Sequence, residues 1–279
     1  ILIFFSLDEL LKIFSKDSTT GKIRGTYMTI GSLAWIISQL MFFTILGEFS
    51  FRTIYLISFT VMLLFFIMSY SHFRDIPDPN YDKTNIKKYI GKFFKNKNLF
   101  HAYGISFLLQ FFYCWMVIYT PIYLSFYLGF SWKEIGLIFA VMLLPFSILP
   151  FPLGRYADKI GERKMLMFGF TIASLATLSL FFIYQPVVWL WALLLLTTRV
   201  GAATIEVMSD AYFFKHIRPE NEEFVGVYRT ASPIAYIIGP AIASLVFLFV
   251  PAFNYIYVIL GTAMLLGVYL ASTIRKGDI

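Results

Sequence analysis

Long apolar stretches alternate with short polar ones along the chain, and this pattern predicts helices that span a membrane. Windows almost free of charge reach or exceed the roughly 20 residues that an α-helix needs to cross about 30 Å of hydrocarbon. Turn residues such as Gln185 and Pro186 divide the longest windows into separate spans. The pattern predicts eight helices, at 25–46, 53–73, 100–127, 134–153, 165–184, 188–214, 224–249 and 253–274.

Composition agrees with this class, because 59% of the residues are hydrophobic and 20% are aromatic, beyond the range of soluble globular domains. The first 14 residues, ILIFFSLDELLKIF, contain neither a basic leader nor a small-residue cleavage site, so we interpret them as the end of a further helix rather than a signal peptide. Since the chain starts on Ile1, we interpret it as a fragment that lacks upstream helices. The single cysteine, Cys114, excludes an intrachain disulfide and does not support a cysteine metal site.

Basic residues predict the orientation of the helices. Of the 23 lysines and arginines, 19 fall in the segments 12–24, 74–97, 155–164, 215–218 and 275–276, which share one side of the membrane if the helices alternate. The positive-inside bias makes this side cytoplasmic. The net charge of +7 thus reflects topology, and we expect lipid head groups rather than nucleic acid as the partner of the basic segments.

The chain also resembles itself at a shift of about 200 residues, which suits two halves of one architecture. GTYMTIGSLAWII at 25–37 and GVYRTASPIAYII at 226–238 are identical at six of thirteen positions. FRTIYLISFTVMLL at 51–64 and FNYIYVILGTAMLL at 253–266 are identical at eight of fourteen positions. Parallel duplication is one arrangement found in secondary transporters, and chance similarity between apolar helices is the alternative.

The polar segment LGRYADKIGERKML, at 153–166, separates two apolar stretches and carries a motif. Its residues 154–164 resemble the G-x-L-A-D-R-x-G-R-K/R loop of the major facilitator superfamily, and its place after the basic segment 74–98 matches the second copy of that loop. The resemblance implies an all-α, polytopic transmembrane helix bundle with two pseudo-symmetric halves, of which the N-terminal half is truncated. It assigns 1–73 to the end of helix four and to helices five and six, 74–98 to the central cytoplasmic loop, and 99–279 to helices seven to twelve.

The resemblance implies that the motif is a conformational latch between the halves. Asp158 would face the positive N-terminal end of a neighbouring helix, and Arg163 would pair with Asp210. The alternative is a solvated basic loop that only sets topology, and Glu162 stands where the family usually has a basic residue, which leaves the strength of the latch open. The predicted latch comprises Gly154, Asp158, Lys159, Gly161, Arg163, Lys164 and Asp210.

Ionisable residues occur within the predicted spans, where such residues are costly and usually functional. Arg199, Glu206 and Asp210 are spaced by seven and four positions, which places them along one helix face. Arg229 enters the next helix at about the depth of Asp210. We expect Asp210 and Arg229 to form a cytoplasmic gate. Glu206 either belongs to that gate or couples protons or substrate in the central cavity, and Arg199 is a candidate for the same two roles.

Two other helices contain candidate contact residues. In helix 100–127, Gln110 and Tyr113 share a face that would line the cavity, although aromatic belts at the membrane interfaces are the alternative explanation. In segment 74–98, apolar residues recur at helical spacing, partly opposite lysines, and predict a short amphipathic helix on the inner leaflet that contacts membrane lipids. These apolar residues are Ile86, Ile90, Phe93 and Phe94.

These features predict a secondary active transporter that works by alternating access. We expect a small-molecule substrate, protons as the candidate coupling ion, no cofactor, no metal and a monomer. The protein would be a multi-pass protein of the cell membrane with its central loop and C-terminus in the cytoplasm. The alternative is a non-transporting receptor, sensor or membrane enzyme on a similar bundle. An enzyme is less favoured because the chain has no cluster of His, Asp or Cys at nucleophile or metal spacing and no P-loop.

Overall fold

The computed structural model describes residues 20–73, 86–150, 152–153, 156, 160–217 and 223–274. Every regular element in these ranges is helical and no strand occurs among them, which confirms the all-α fold class. The helices are α1 (Thr20–Glu48), α2 (Phe51–Phe73), α3 (Ile86–Lys95), α4 (Lys97–Ile122), α5 (Trp132–Ile148), α6 (Glu162–Leu180), α7 (Val188–Lys215), α8 (Glu223–Arg229), α9 (Ala231–Phe247) and α10 (Tyr255–Thr273).

The predicted helices are present, and most of their ends lie within a few residues of the predicted positions. The helix expected at 224–249 is divided into α8 and α9 at Thr230. Among the described residues, five helices are long and apolar enough to cross a membrane by length and composition: Phe51–Ser71, Lys97–Tyr127, Val188–Lys215, Glu223–Phe247 and Tyr255–Thr273.

The other three predicted spans also form helices. α1 contains a shorter apolar stretch, Leu33–Glu48. α5 has only 17 residues, since it ends at Ile148 rather than near the predicted position 153. α6 begins with three charged residues, 162–164, which lower its mean hydropathy.

Local chemistry sets the ends of the two helices that follow the basic segment. Asn96 caps α4, because its side-chain oxygen accepts hydrogen bonds from the backbone N–H groups of Asn98 and Leu99. α5 begins with a capping box, in which Ser131 and Glu134 each satisfy the other's backbone N–H. Pro121 lacks an N–H, and α4 continues directly beyond it as a π-helical turn, Tyr123–Tyr127.

Close backbone approach defines the packing of α6 against α7 and α10. A Cβ atom on Gly201 would lie 2.6 Å from the carbonyl oxygen of Gly169 and 2.6 Å from the nitrogen of Ala173. On the other side of α6, the hydroxyl of Ser174 donates to the carbonyl oxygen of Gly261 over 2.7 Å. Small residues at such crossings let helices pack without intervening side chains, as is usual in membrane bundles.

α4 lies beside α7, α9 and α10 and forms much of the core. Its Trp115 is 1% exposed and donates through Nε1 to the carbonyl oxygen of Gly239 in α9, over 3.0 Å. The end of the bundle that contains the first residue of α4 and the last residue of α7 is called the basic end below. α3 packs across this end, with Phe93 fully buried between the rings of Phe213 and Phe224. The amphipathic helix predicted in segment 74–98 therefore exists, while its contact with lipid remains a prediction.

Candidate functional site

The ionisable residues of α7 form a row that faces α4 and α8. Arg199 lies deepest and is only 2% exposed, whereas Glu206 and Asp210 are partly buried. Their spacing by seven and four positions keeps them on one face of the helix, as the sequence predicts. Each of the three has a different kind of partner, so the row divides into three parts.

Glu206 is bound by a tyrosine of α4. The hydroxyl of Tyr113 donates to Oε2 of Glu206 over 2.9 Å. The Tyr113 ring is held in turn by an edge contact with Phe146 of α5, with the ring centroids 5.9 Å apart. Among the described residues, no lysine or arginine forms an ion pair with Glu206. Within the part of the chain that the structure describes, this carboxylate therefore lies inside a span with a single hydroxyl donor and no counter-charge in contact.

Arg199 is surrounded by aromatic rings rather than carboxylates. Its guanidinium carbon lies 5.1 Å from the ring centroid of Tyr113 and 5.4 Å from that of Phe112. Both distances allow a cation–π interaction. The Nε atom is buried without a hydrogen-bond partner, and no ion pair to Arg199 occurs in the part of the chain that the structure describes.

Asp210 belongs to a more exposed cluster near the basic end. A guanidinium nitrogen of Arg229 lies 3.5 Å from Oδ2 of Asp210, and the hydroxyl of Tyr228 donates to Oδ1 over 3.0 Å. Tyr228 is also within hydrogen-bond distance of Ser209, at 2.9 Å, and its ring stacks on Phe213 with centroids 3.8 Å apart. Asp210 and Arg229 are thus in contact, although their role as a gate remains a prediction.

The predicted latch falls only partly on described residues. Gly154, Asp158 and Lys159 lie outside them, so the contact expected for Asp158 stays a prediction. Gly161 has a φ of +85°, a backbone conformation that favours glycine, and it immediately precedes α6. Arg163 is partly buried and Lys164 exposed, and neither forms an ion pair with a described carboxylate.

An ion pair that the sequence analysis did not predict joins α6 to α7 at the basic end. The amine of Lys215 donates to Oε1 of Glu162, whose side chain is 10% exposed. Burial raises the pKa of Glu162, but the hydrogen bond and the charge of Lys215 outweigh burial and hold that pKa below the ordinary value of a glutamate. The departure of Glu162 from the family motif was the only sequence signal for this contact.

Gln110 lies one turn before Tyr113 on α4 and is partly buried. No hydrogen bond of its side chain to another described residue is found. The same face continues to Val117, which is 43% exposed. The structure thus brings Tyr113, but not Gln110, into contact with the charged row, and cavity lining by Gln110 remains a prediction.

At the opposite end of the bundle, an aromatic cavity of about 700 Å³ was not predicted from the sequence. The rings of Tyr127 and Phe253 stack there with centroids 4.9 Å apart. Asn254 donates to the hydroxyl of Tyr184 over 3.3 Å. The cavity is lined by Tyr123, Tyr127, Leu128, Tyr184, Phe247, Val250, Pro251, Ala252, Phe253 and Asn254.

These features together define a multi-pass membrane protein with ionisable side chains inside its spans, an arrangement typical of transport pathways. Among the described residues, no group of three or more His, Cys, Asp or Glu side chains could hold a metal ion. The family model of the Major Facilitator Superfamily matches residues 116–278, which is more than half of the chain. The chain therefore belongs to this superfamily of membrane transporters. The match includes Arg199, Glu206, Asp210 and Arg229, whereas Tyr113 lies just before it. A comparison with curated proteins gives no match.

Proposed function

We propose that the protein is a secondary active transporter of a small organic solute, that it works by alternating access, and that Glu206 couples transport to protons. The segments 1–73 and 99–279 belong to two halves that move against each other, linked by the cytoplasmic loop 74–98. The basic end faces the cytoplasm, as the positive-inside bias favours. The protein acts as a monomer in the cell membrane.

The observation that carries this proposal is the isolation of the Glu206 carboxylate. It lies within the span Val188–Lys215, accepts a hydrogen bond from Tyr113, and has no ion-pair partner among the described residues. A carboxylate held in a permanent ion pair resists protonation, because the counter-charge favours its ionised form. Glu206 is free of that constraint and is suited to take up and release a proton during a transport cycle.

Asp210 differs from Glu206 in this respect, since Arg229 lies 3.5 Å away from it. The side chain of Asp210 is 35% exposed and that of Arg229 is 53% exposed, and ion pairs at such exposure are worth about 0–1 kcal/mol. A weak contact of this kind suits a gate that closes and opens in every cycle. We therefore assign the gate to Asp210 and Arg229 and coupling to Glu206.

The test uses the full-length protein in vesicles with an imposed pH gradient, screened with radiolabelled sugars, amino acids, nucleosides and organic acids. Glu206→Gln should abolish gradient-driven accumulation of the transported solute, while exchange of solute across the membrane continues because exchange needs no net proton movement. Asp210→Asn is the matched control, and it should change transport without loss of coupling. Full gradient-driven accumulation by Glu206→Gln would exclude the coupling role. Absence of flux for every solute in the wild-type protein would count against transport itself.

A further inference from the structure

Arg199 is the charge of the α7 row to which the described part of the chain provides no polar partner. It is 2% exposed, its Nε has no hydrogen-bond partner, and no described carboxylate forms an ion pair with it. Buried charges in proteins are ordinarily paired, because an unpaired charge away from water is unfavourable. An arginine in this state has a binding capacity that the protein itself does not use.

The neighbours of Arg199 contact the flat faces of its guanidinium group but do not provide a hydrogen-bond acceptor for its Nε–H. The rings of Phe112 and Tyr113 lie within 5.4 Å of the guanidinium carbon and provide cation–π contact. Ring faces do not accept the in-plane N–H bonds of a guanidinium in the way that oxygen atoms do. The hydroxyl proton of the neighbouring Tyr113 is donated to Glu206. Nε of Arg199 has no hydrogen-bond partner among the described residues.

We infer that Arg199 binds the carboxylate of the transported solute, an organic monoanion with an apolar or aromatic body; this inference rests on the proposed function. A carboxylate matches the planar fork of a guanidinium with two parallel hydrogen bonds. One arginine supplies one positive charge, and Glu206 and Asp210 on the same helix face repel a second negative charge on the ligand. The rings beside Arg199 suit an apolar body and give no further polar contacts.

The positions of Arg199 and Glu206 also predict the net charge that crosses the membrane with each solute molecule. Arg199 and Glu206 are seven positions apart, or about 10 Å along the helix, so the anion and the proton occupy separate places. One carboxylate on Arg199 and one proton on Glu206 add no net charge to the site. Transport of this solute with one proton is therefore electroneutral.

Binding to the purified full-length protein tests the inference without any gradient. The probes are radiolabelled benzoate and its neutral analogue benzamide, which share a ring and differ in charge, together with inorganic phosphate at mildly alkaline pH, where the dianion predominates. The wild-type protein should bind benzoate in preference to both other probes. Arg199→Gln should weaken benzoate binding by roughly 10- to 100-fold, as loss of a charge-assisted hydrogen-bonded pair implies. Arg199→Lys keeps the positive charge but not the planar guanidinium fork. Its affinity for benzoate should lie between those of the wild-type protein and Arg199→Gln.

Arg52→Gln is the matched control, because Arg52 is an exposed arginine at the start of α2 and should leave binding unchanged. If Arg199→Gln does not fold, Arg199→Lys and the preference of the wild-type protein for benzoate over benzamide still decide the matter. Equal binding of benzoate and benzamide, a preference for phosphate, no benzoate binding, or unchanged binding in both Arg199 variants would overturn the inference. If the wild-type protein binds benzoate as expected but Glu206→Gln keeps full gradient-driven uptake, the coupling role of Glu206 is refuted and the assignment of Arg199 stands.

Discussion

The hydroxyl of Tyr113 donates a hydrogen bond to the carboxylate of Glu206 over 2.9 Å, across 93 positions of the sequence. The ring of the same tyrosine lies 5.1 Å from the guanidinium carbon of Arg199. One side chain of α4 therefore contacts both the positive and the negative charge in the interior of α7. We therefore expect a substitution of either charged residue to change the surroundings of the other through Tyr113.

The bond between Tyr113 and Glu206 should be measurable as a coupling energy. Tyr113→Phe removes only the hydroxyl, and Glu206→Ala removes the acceptor. Hydrogen bonds between membrane helices contribute about 0.6 kcal/mol on average and up to about 1.7. We expect the double variant to lose less unfolding free energy than the sum of the two single variants, by an amount in this range. If the losses of unfolding free energy in the two single variants sum to the loss in the double variant, a direct bond is contradicted, because such additivity is typical of sites that do not contact each other.

Breaking the contact between Asp210 and Arg229 should open the basic end more often. Arg229→Gln removes an ion pair worth up to about 1 kcal/mol, which corresponds to at most about a fivefold change in the open population. Ser106→Cys on α4, at a site that is 9% exposed, reports this opening through its labelling rate with a membrane-impermeant thiol reagent. The measurement needs a cysteine-free background, in which Cys114 and any further cysteine of the full-length protein are replaced by alanine.

The control for the gate is the ion pair at the opposite end. There Lys133 contacts Glu48 over 2.7 Å, with side chains 56% and 51% exposed. Lys133→Gln removes a comparable exposed charge pair but lies far from Ser106, so labelling should not rise. Equal acceleration by Lys133→Gln and Arg229→Gln would show that general loosening, rather than a gate, is being measured.

The crossing of α6 and α7 should tolerate no added methyl group at Gly201. A Cβ atom there would meet backbone atoms of Gly169 and Ala173 at 2.6 Å, and backbone cannot move aside as a flexible side chain can. Gly201→Ala should therefore destabilise the protein by about 1–3 kcal/mol in thermal or denaturant unfolding. Gly104→Ala in α4 is the matched control, because nothing lies within 4 Å of its added Cβ. That variant should be neutral or more stable by up to about 1 kcal/mol.

The pair of Glu162 and Lys215 should make stability depend on pH in the acid range. The pKa of Glu162 is lowered in the folded protein, so its contribution is present above the ordinary glutamate pKa of about 4.3 and is lost as the pH falls from there through the folded value. Glu162→Gln should be less stable than the wild-type protein at pH 7 by about 1 kcal/mol or less, because Lys215 is 56% exposed. The difference in unfolding free energy should shrink below about pH 4.3. A constant difference across this range would contradict the assignment.

The hydropathy pattern predicted the fold well, because each span depends mainly on its own residues. It also identified Arg199, Glu206, Asp210 and Arg229, since charges inside apolar helices stand out. It could not predict which α4 side chain meets Glu206, because that depends on how α4 and α7 are rotated against each other.

The expected contact between Arg163 and Asp210 shows the same limit. Both residues lie near the basic end, but Asp210 contacts Arg229 and Tyr228, while Lys215 contacts Glu162. Long charged side chains at a membrane surface have several partners within reach, and helix geometry decides among them. The aromatic cavity at the other end was missed for a related reason, since its lining comes from chain segments that are far apart in the sequence.

The contact between Trp115 and Gly239 has a mechanical consequence. The indole of Trp115 donates to the carbonyl oxygen of Gly239 over 3.0 Å. A Cβ atom on Gly239 would lie 2.7 Å from the sulfur of Cys114, so α4 and α9 are in close contact at this level. While this contact holds, a tilt of α9 turns about the level of Gly239. Phe247 lies roughly 12 Å from that level along the helical rise and lines the aromatic cavity. Such a tilt would therefore change the shape of that cavity, although the contact between Trp115 and Gly239 itself stays in place.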